Sequence, residues 1–233
     1  MFDESSSQSV DAPHEAVPRR RSLAIAVRLT VVLVLLCGVA YPALIYAAAH
    51  LVFPSSAEGS LVYDRCGIAV GSRLVGQSFT RPSYFSGRPS AVGYDARNSG
   101  ASNFGPTNPV LRDSLLARAA AFRTANSLGA NEPLPADGIT GSGSGLDPDI
   151  SPAAAIMQAS RVASARATGG DVSTYAAGVR ALIVAHTVKP TFGIVGEPRV
   201  NVLELNLALD SLDEQTRGRR PICTTQPAAG RTP

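Results

Sequence analysis

The sequence predicts an α/β protein of the α+β kind: one N-terminal transmembrane helix, then a single extracytoplasmic domain with a small sheet and about four helices. Three observations predict it. Leu29 to Ala49 is an uncharged apolar run with arginines at one end. Helix-start signals recur at Asn108-Pro109, Ser151-Pro152 and Asn201. Between the apolar run and these signals lie short β-favouring pieces broken by Asp64 and Gly67. A length of 233 residues suits one ordinary domain plus an anchor and tails.

Residues 1–22 are polar, rich in serine and arginine, and read as a cytoplasmic disordered tail. Residues 23–53 form the transmembrane region, with the core at 29–49, LTVVLVLLCGVAYPALIYAAA. At ~1.5 Å per residue, about 20 residues cross a hydrocarbon layer ~30 Å thick. Lipid offers no partner for backbone N–H and C=O groups, so the run must be a helix. Pro42 is expected to bend it, and Gly38 and Ala40 would let a neighbouring helix approach. Arg19, Arg20, Arg21 and Arg28 flank one end, and Tyr46 and Phe53 the other. Positive flanks stay in the cytoplasm, which puts everything after about His50 outside. The competing reading is an export signal cleaved after Ala47-Ala48-Ala49, although signal cores span only ~7–15 residues.

Residues 54–215 form the outer domain and 216–233 a flexible tail. Leu61–Tyr63 and Ile68–Val70 suit a small antiparallel sheet. Gln77 to Pro109 is long and irregular, yet Phe79, Tyr84, Phe85 and Phe104 give it something to bury. The first helix carries Leu111, Leu115, Ala119 and Phe122 at helical spacing. The second carries Ile156, Ala159, Val162 and Ala163, and the third, starting at Asp171, carries Val172, Ala176, Val179 and Ile183. Asn201 with Glu204 makes a capping-box pattern ahead of a fourth helix, NVLELNLALDSL, whose leucine alternation also suits a strand.

The formal charge of +3 is too small for a nucleic-acid binder, and part of it is the membrane flank. Cys37, Cys66 and Cys223 have no metal-ligand spacing, which argues against zinc; Cys66 and Cys223 could pair in an oxidising compartment. His186 is the sole candidate base in the outer domain, at the end of the third helix, and neither Ser142 nor Ser144 has the spacing of a nucleophile elbow. The glycine-rich stretch from Gly138 lacks the Lys and Ser/Thr of a phosphate loop and reads as a turn held by Asp147 and Asp149. No phosphorylation motif or selectivity filter is present, and one helix cannot enclose a pore. Such a chain assists chemistry done by another. Two places suggest recognition: GQSFTRPSYFSGRPSA (Gly76–Ala91), and Gln158, Arg161 and Arg166 on the second helix. Equally open are a loop-covering minicore for the aromatics and a solvated face for the arginines.

These residues resemble a known family, the C subunit of the Kdp potassium-transporting P-type ATPase. The resemblance runs from about Leu29 to Leu212. It is carried by Gly76–Ala91, SGASNFGPTNPVL (Ser99–Leu111), SGSGLDPDISPAAAIMQASRVASAR (Ser142–Arg166) and VNVLELNLALD (Val200–Asp210). It implies a non-catalytic accessory subunit in the bacterial cell membrane. Its partners would be an ATP-hydrolysing subunit, a potassium-translocating subunit and a small fourth subunit. ATP and potassium would be handled by the complex, with no cofactor held by this chain. It also implies a catalytic-chaperone role that raises the ATP affinity of the hydrolysing subunit. The residues it singles out, for packing and docking rather than catalysis, are Gln77, Phe79, Tyr84, Phe85, Arg88, Pro89, Asn103, Ser144, Gly145, Leu146, Asp147, Gln158, Arg161, Asn201, Glu204 and Asn206. The alternatives are a membrane-anchored or exported hydrolase using His186, and an exported binding protein.

Overall fold

The computed structural model describes residues 19–167 and 172–217. The chain divides into two compact units, residues 1–57 and 58–233.

In the first unit, a continuous apolar helix runs from Arg19 to Val52, 34 residues with none of its apolar window buried. At ~1.5 Å per residue it is roughly 50 Å long, more than a hydrocarbon layer of ~30 Å requires. Residues 19–22, expected in the polar tail, are helical, because Arg is a good helix former and the following turns supply the nucleus. The helix consists of α1 (Arg19–Leu35), a π-helical turn (Leu36–Ala40) and α2 (Tyr41–Val52). The irregularity expected at Pro42 is thus a widened turn just before it, where Tyr41 N–H donates to Leu36 O. Proline has no N–H and its ring crowds the carbonyl four residues back, and an i→i−5 turn makes room for both. A short α3 (Pro54–Ala57) follows.

The second unit opens with an antiparallel hairpin, β1 (Leu61–Tyr63) and β2 (Ala69–Ser72), in which Leu61 faces Ser72. Ile68 lies in its turn, where Asp64 Oδ1 accepts from Cys66 N–H and Ile68 N–H, each at 2.9 Å. After a long loop comes α4 (Pro109–Asn126), capped by Asn108, whose side chain accepts from Val110 N–H. Next are α5 (Ala136–Ile139), β3 (Asp149–Ile150) and α6 (Pro152–Arg166). Ser151 caps α6 by accepting from Ala154 N–H. Then come α7 (Val172–Ala185), β4 (Thr187–Val188), β5 (Arg199–Asn201) and α8 (Val202–Arg217). The capping signals therefore mark the helices correctly, including the fourth, where Asn201 Oδ1 accepts from Glu204 N–H. Asp171, Cys223 and the segments 1–18 and 218–233 lie outside the described residues.

A second sheet, in the order β3–β5–β4 and antiparallel throughout, pairs Ile150 and Thr187 with Val200 from either side. The core lies where α6, α7, α8 and this sheet meet: Ala154, Ala155, Ala159, Val162 and Ala163 from α6, Val179 and Ile183 from α7, Leu205 and Leu209 from α8, and Val200. Small side chains on α6 let it pack closely against α7. Two residues of the expected stripes face outward, Ile156 at 52% and Val172 at 43% exposure. The buried arc of α6 is centred on Ala155, Ala159 and Val162, and Ile156 falls beside it. Phe85, from the long loop, is completely buried in the same core.

Candidate functional site

The loop at 76–94 is held against the helices by polar side chains that reach its backbone. Asn206, on the buried face of α8, accepts from Phe85 N–H at 2.8 Å and donates to Phe85 O at 3.0 Å. Gln158, buried on α6, does the same for the next residue, accepting from Ser86 N–H at 2.8 Å and donating to Ser86 O at 3.2 Å. Two amide side chains thus do for consecutive residues what a paired strand would do, so Phe85 can be buried without orphaned backbone groups.

Two arginines of α6 continue the clamp. Arg161 donates to Pro82 O at 2.5 Å, Tyr84 O at 3.0 Å, Asn126 Oδ1 at 2.9 Å and Gln158 Oε1 at 2.8 Å. All four acceptors are neutral, and burial holds its pKa below the usual arginine value. Arg166 donates to Ser83 O at 2.6 Å, pairs with Asp210 at 2.9 Å and Asp213 at 2.8 Å, and stacks 4.6 Å from the Tyr84 ring centre. Burial lowers its pKa, but the two carboxylates together raise it further. The arginines at 161 and 166 therefore form internal struts rather than a solvated face.

The glycine-rich segment joins the same assembly. Arg88 pairs with Asp147 at 2.9 Å and donates to Gly141 O at 3.2 Å. Ser90 Oγ donates to Gly145 O at 2.6 Å, and Leu146 N–H donates to Ser144 Oγ at 3.1 Å. Gly76 N–H donates to Leu146 O at 2.8 Å, and a Cβ at Gly76 would stand 2.6 Å from Asp147 O, so only glycine fits. At Gly145, φ is +70° and a Cβ would meet Gly100 O at 2.8 Å. As read from the sequence, this is a structural turn: Asp147 Oδ1 accepts from Asp149 N–H at 3.0 Å. Tyr94 donates its hydroxyl to Arg88 O, and burial, then Asp147, push its pKa up to about 12.

Between this loop and α4 lies a cavity of about 510 Å³, walled by Phe79, Arg88, Pro89, Tyr94, Arg118, Phe122, Gln158 and Arg161. Of the residues singled out from the sequence, Phe79, Arg88, Pro89, Gln158 and Arg161 line it. Tyr84, Phe85, Gly145, Asp147 and Asn206 hold the loop that walls it, Ser144 and Leu146 lie in the adjoining glycine-rich turn, and half-buried Gln77 lies over Gly71 of β2. Asn201 and Glu204 sit at the β5–α8 junction, where Asn201 Nδ2 donates to Arg73 O at 2.9 Å and Glu204 pairs with Arg73 at 2.6 Å. Asn103 stands apart, exposed, with φ +54°. Sequence reasoning missed Arg118 and Tyr94. The first had a signal, since Arg118, Phe122 and Ala125 share one face of α4 at helical spacing. His186 lines a second cavity of about 440 Å³ with Asp64, Glu204, Asp210 and Ser211. The Ser211 hydroxyl donates to Leu207 O at 3.0 Å, not to the imidazole.

Comparison with known proteins gives this arrangement a context. The family described as KdpC, K+-transporting ATPase, c chain, matches residues 23–211. The potassium-transporting ATPase KdpC subunit of Gemmatimonas aurantiaca is 50% identical over 203 residues, covering 84% of this chain and 96% of its own length. That of Burkholderia vietnamiensis is 50% identical over 183 residues, covering 77% of this chain and 91% of its own. The match spans the apolar helix, the clamped loop and the α8 motif together, and the chain belongs to the KdpC family, the c chain of K+-transporting ATPases.

Proposed function

We propose that this chain is a non-catalytic accessory subunit of an ATP-driven potassium-uptake complex. It is anchored by α1–α2 with its N-terminus in the cytoplasm and its folded domain outside. The ATP-hydrolysing, potassium-translocating and small fourth subunits are its partners, and ATP and potassium are handled by them. The observation that carries the topology is the apolar helix Arg19–Val52 with Arg19, Arg20, Arg21 and Arg28 at one end. In this reading the arginines keep that end inside.

The chaperone role, raising the ATP affinity of the hydrolysing subunit, fits this topology as coupling through the membrane helix. In this topology ATP is cytoplasmic while the domain is outside, which favours coupling over direct contact with the nucleotide. A tenfold change in affinity needs only ~1.4 kcal/mol of coupling, inside the usual range for allostery.

The test is deletion of the chain in cells that depend on the complex at low external potassium. Uptake should be lost and should return with the gene, and the tagged chain should co-purify with the partner subunits. Full uptake without the chain would overturn the reading.

A further inference from the structure

The cavity between the clamped loop and α4 has a charge balance that the fold itself does not close. Every ionisable side chain in its wall is an arginine or Tyr94, and among the described residues no Asp or Glu lines it. Of the three arginines, only Arg88 has a carboxylate, Asp147 at 2.9 Å, and even so its Nε is buried without a hydrogen-bond partner. Arg161 gives four of its five N–H groups to neutral acceptors and has no carboxylate partner among the described residues. The side chain of Arg118, half-buried on α4, makes no hydrogen bond or ion pair among the described residues. A buried cation without a counter-charge is costly, and the cost is recovered when a carboxylate arrives with its own hydrogen bonds.

Beside the arginines, Phe79, Pro82, Pro89, Ala121, Phe122 and Ala125 give the wall an apolar part, with neutral polar groups from Ser78, Thr80, Ser86, Asn126 and Gln158. A small free anion would leave the apolar surfaces wet. A carboxylate at the end of an aliphatic stem, carried on a polypeptide, satisfies both. We propose that this cavity receives an Asp or Glu side chain from an extracytoplasmic loop of a partner subunit, with Arg118 and Arg161 as its cationic contacts. The proposal deepens the reading of the chain as a docking subunit and rests on it.

The experiment uses the full complex, captured through a tag on this chain and washed at rising salt. Arg118→Glu should retain at least about tenfold less partner subunit than wild type at the same salt, and Arg118→Lys should stay near wild type. A photo-crosslinking residue at exposed Ala121 should capture a partner segment containing Asp or Glu. Changing that acid to Lys should then restore retention by Arg118→Glu. Failure of wild type to capture any partner overturns the subunit reading itself. Capture by wild type and Arg118→Glu alike overturns the cavity proposal. So does a crosslink only to lipid or to a segment without acidic residues, a readout that does not depend on how Arg118→Glu folds.

Discussion

Asn206 and Gln158 decide whether the 76–94 loop can be buried at all. Each satisfies both backbone groups of one loop residue, and both side chains are about 2% exposed. Asn206→Leu would leave Phe85 N–H and O buried and unpaired, at about 1–3 kcal/mol for each group. The thermal midpoint of the full chain in detergent should fall by several degrees, whereas exposed Phe192→Ser should leave it unchanged within error. A wild-type midpoint for Asn206→Leu would mean the loop is not held this way. Two half-buried tyrosines set the alkaline limit. Tyr94 is raised to about 12, and Tyr175, by burial and its hydrogen bond to Asp213, is raised as well. A group that holds its proton more tightly when folded loses stabilisation as pH climbs from its unfolded value toward its folded one. Stability should therefore drop from about pH 10 upward. Tyr94→Phe and Tyr175→Phe should each flatten that drop, as measured by thermal midpoints across the alkaline range.

At the scale of elements, caps were legible and pairings were not. Asn108-Pro109, Ser151-Pro152 and Asn201 each announce a helix through local chemistry, and each cap forms. Ser151 is further fixed by Asp137, which accepts from its N–H at 2.6 Å and its hydroxyl at 2.9 Å. Ser151→Ala should cost about 1–2 kcal/mol, read as a shift in the urea midpoint with unchanged slope. The β3–β5–β4 sheet left no trace, because strands of two or three residues show no periodicity and join positions far apart in the chain. The clamp was half legible. Gln158, Arg161 and Arg166 stood out as unusual on an alanine-rich helix, but polar residues facing a buried loop read the same as polar residues facing water. What separates them is the carbonyl-rich loop opposite, which only the fold reveals.

At the scale of the whole molecule, an anchor is followed by a domain whose polar chemistry is structural on the inside and recognitive, in our proposal, at one arginine-walled cavity. Without partners the domain should still fold, because its core and clamp are internal. Loss of the partner subunits should leave a cooperative unfolding transition, at a thermal midpoint below that in the complex, while potassium uptake disappears. The central claim is that the folded domain faces outward, and a membrane-impermeant maleimide tests it most directly. Arg97, with its side chain 89% exposed, can be replaced by Cys without touching the core. The account predicts that Arg97→Cys is labelled in intact cells above the background of the unsubstituted chain, and that Ser6→Cys is labelled only after lysis. Labelling of Ser6→Cys in intact cells, with Arg97→Cys protected until lysis, would contradict it.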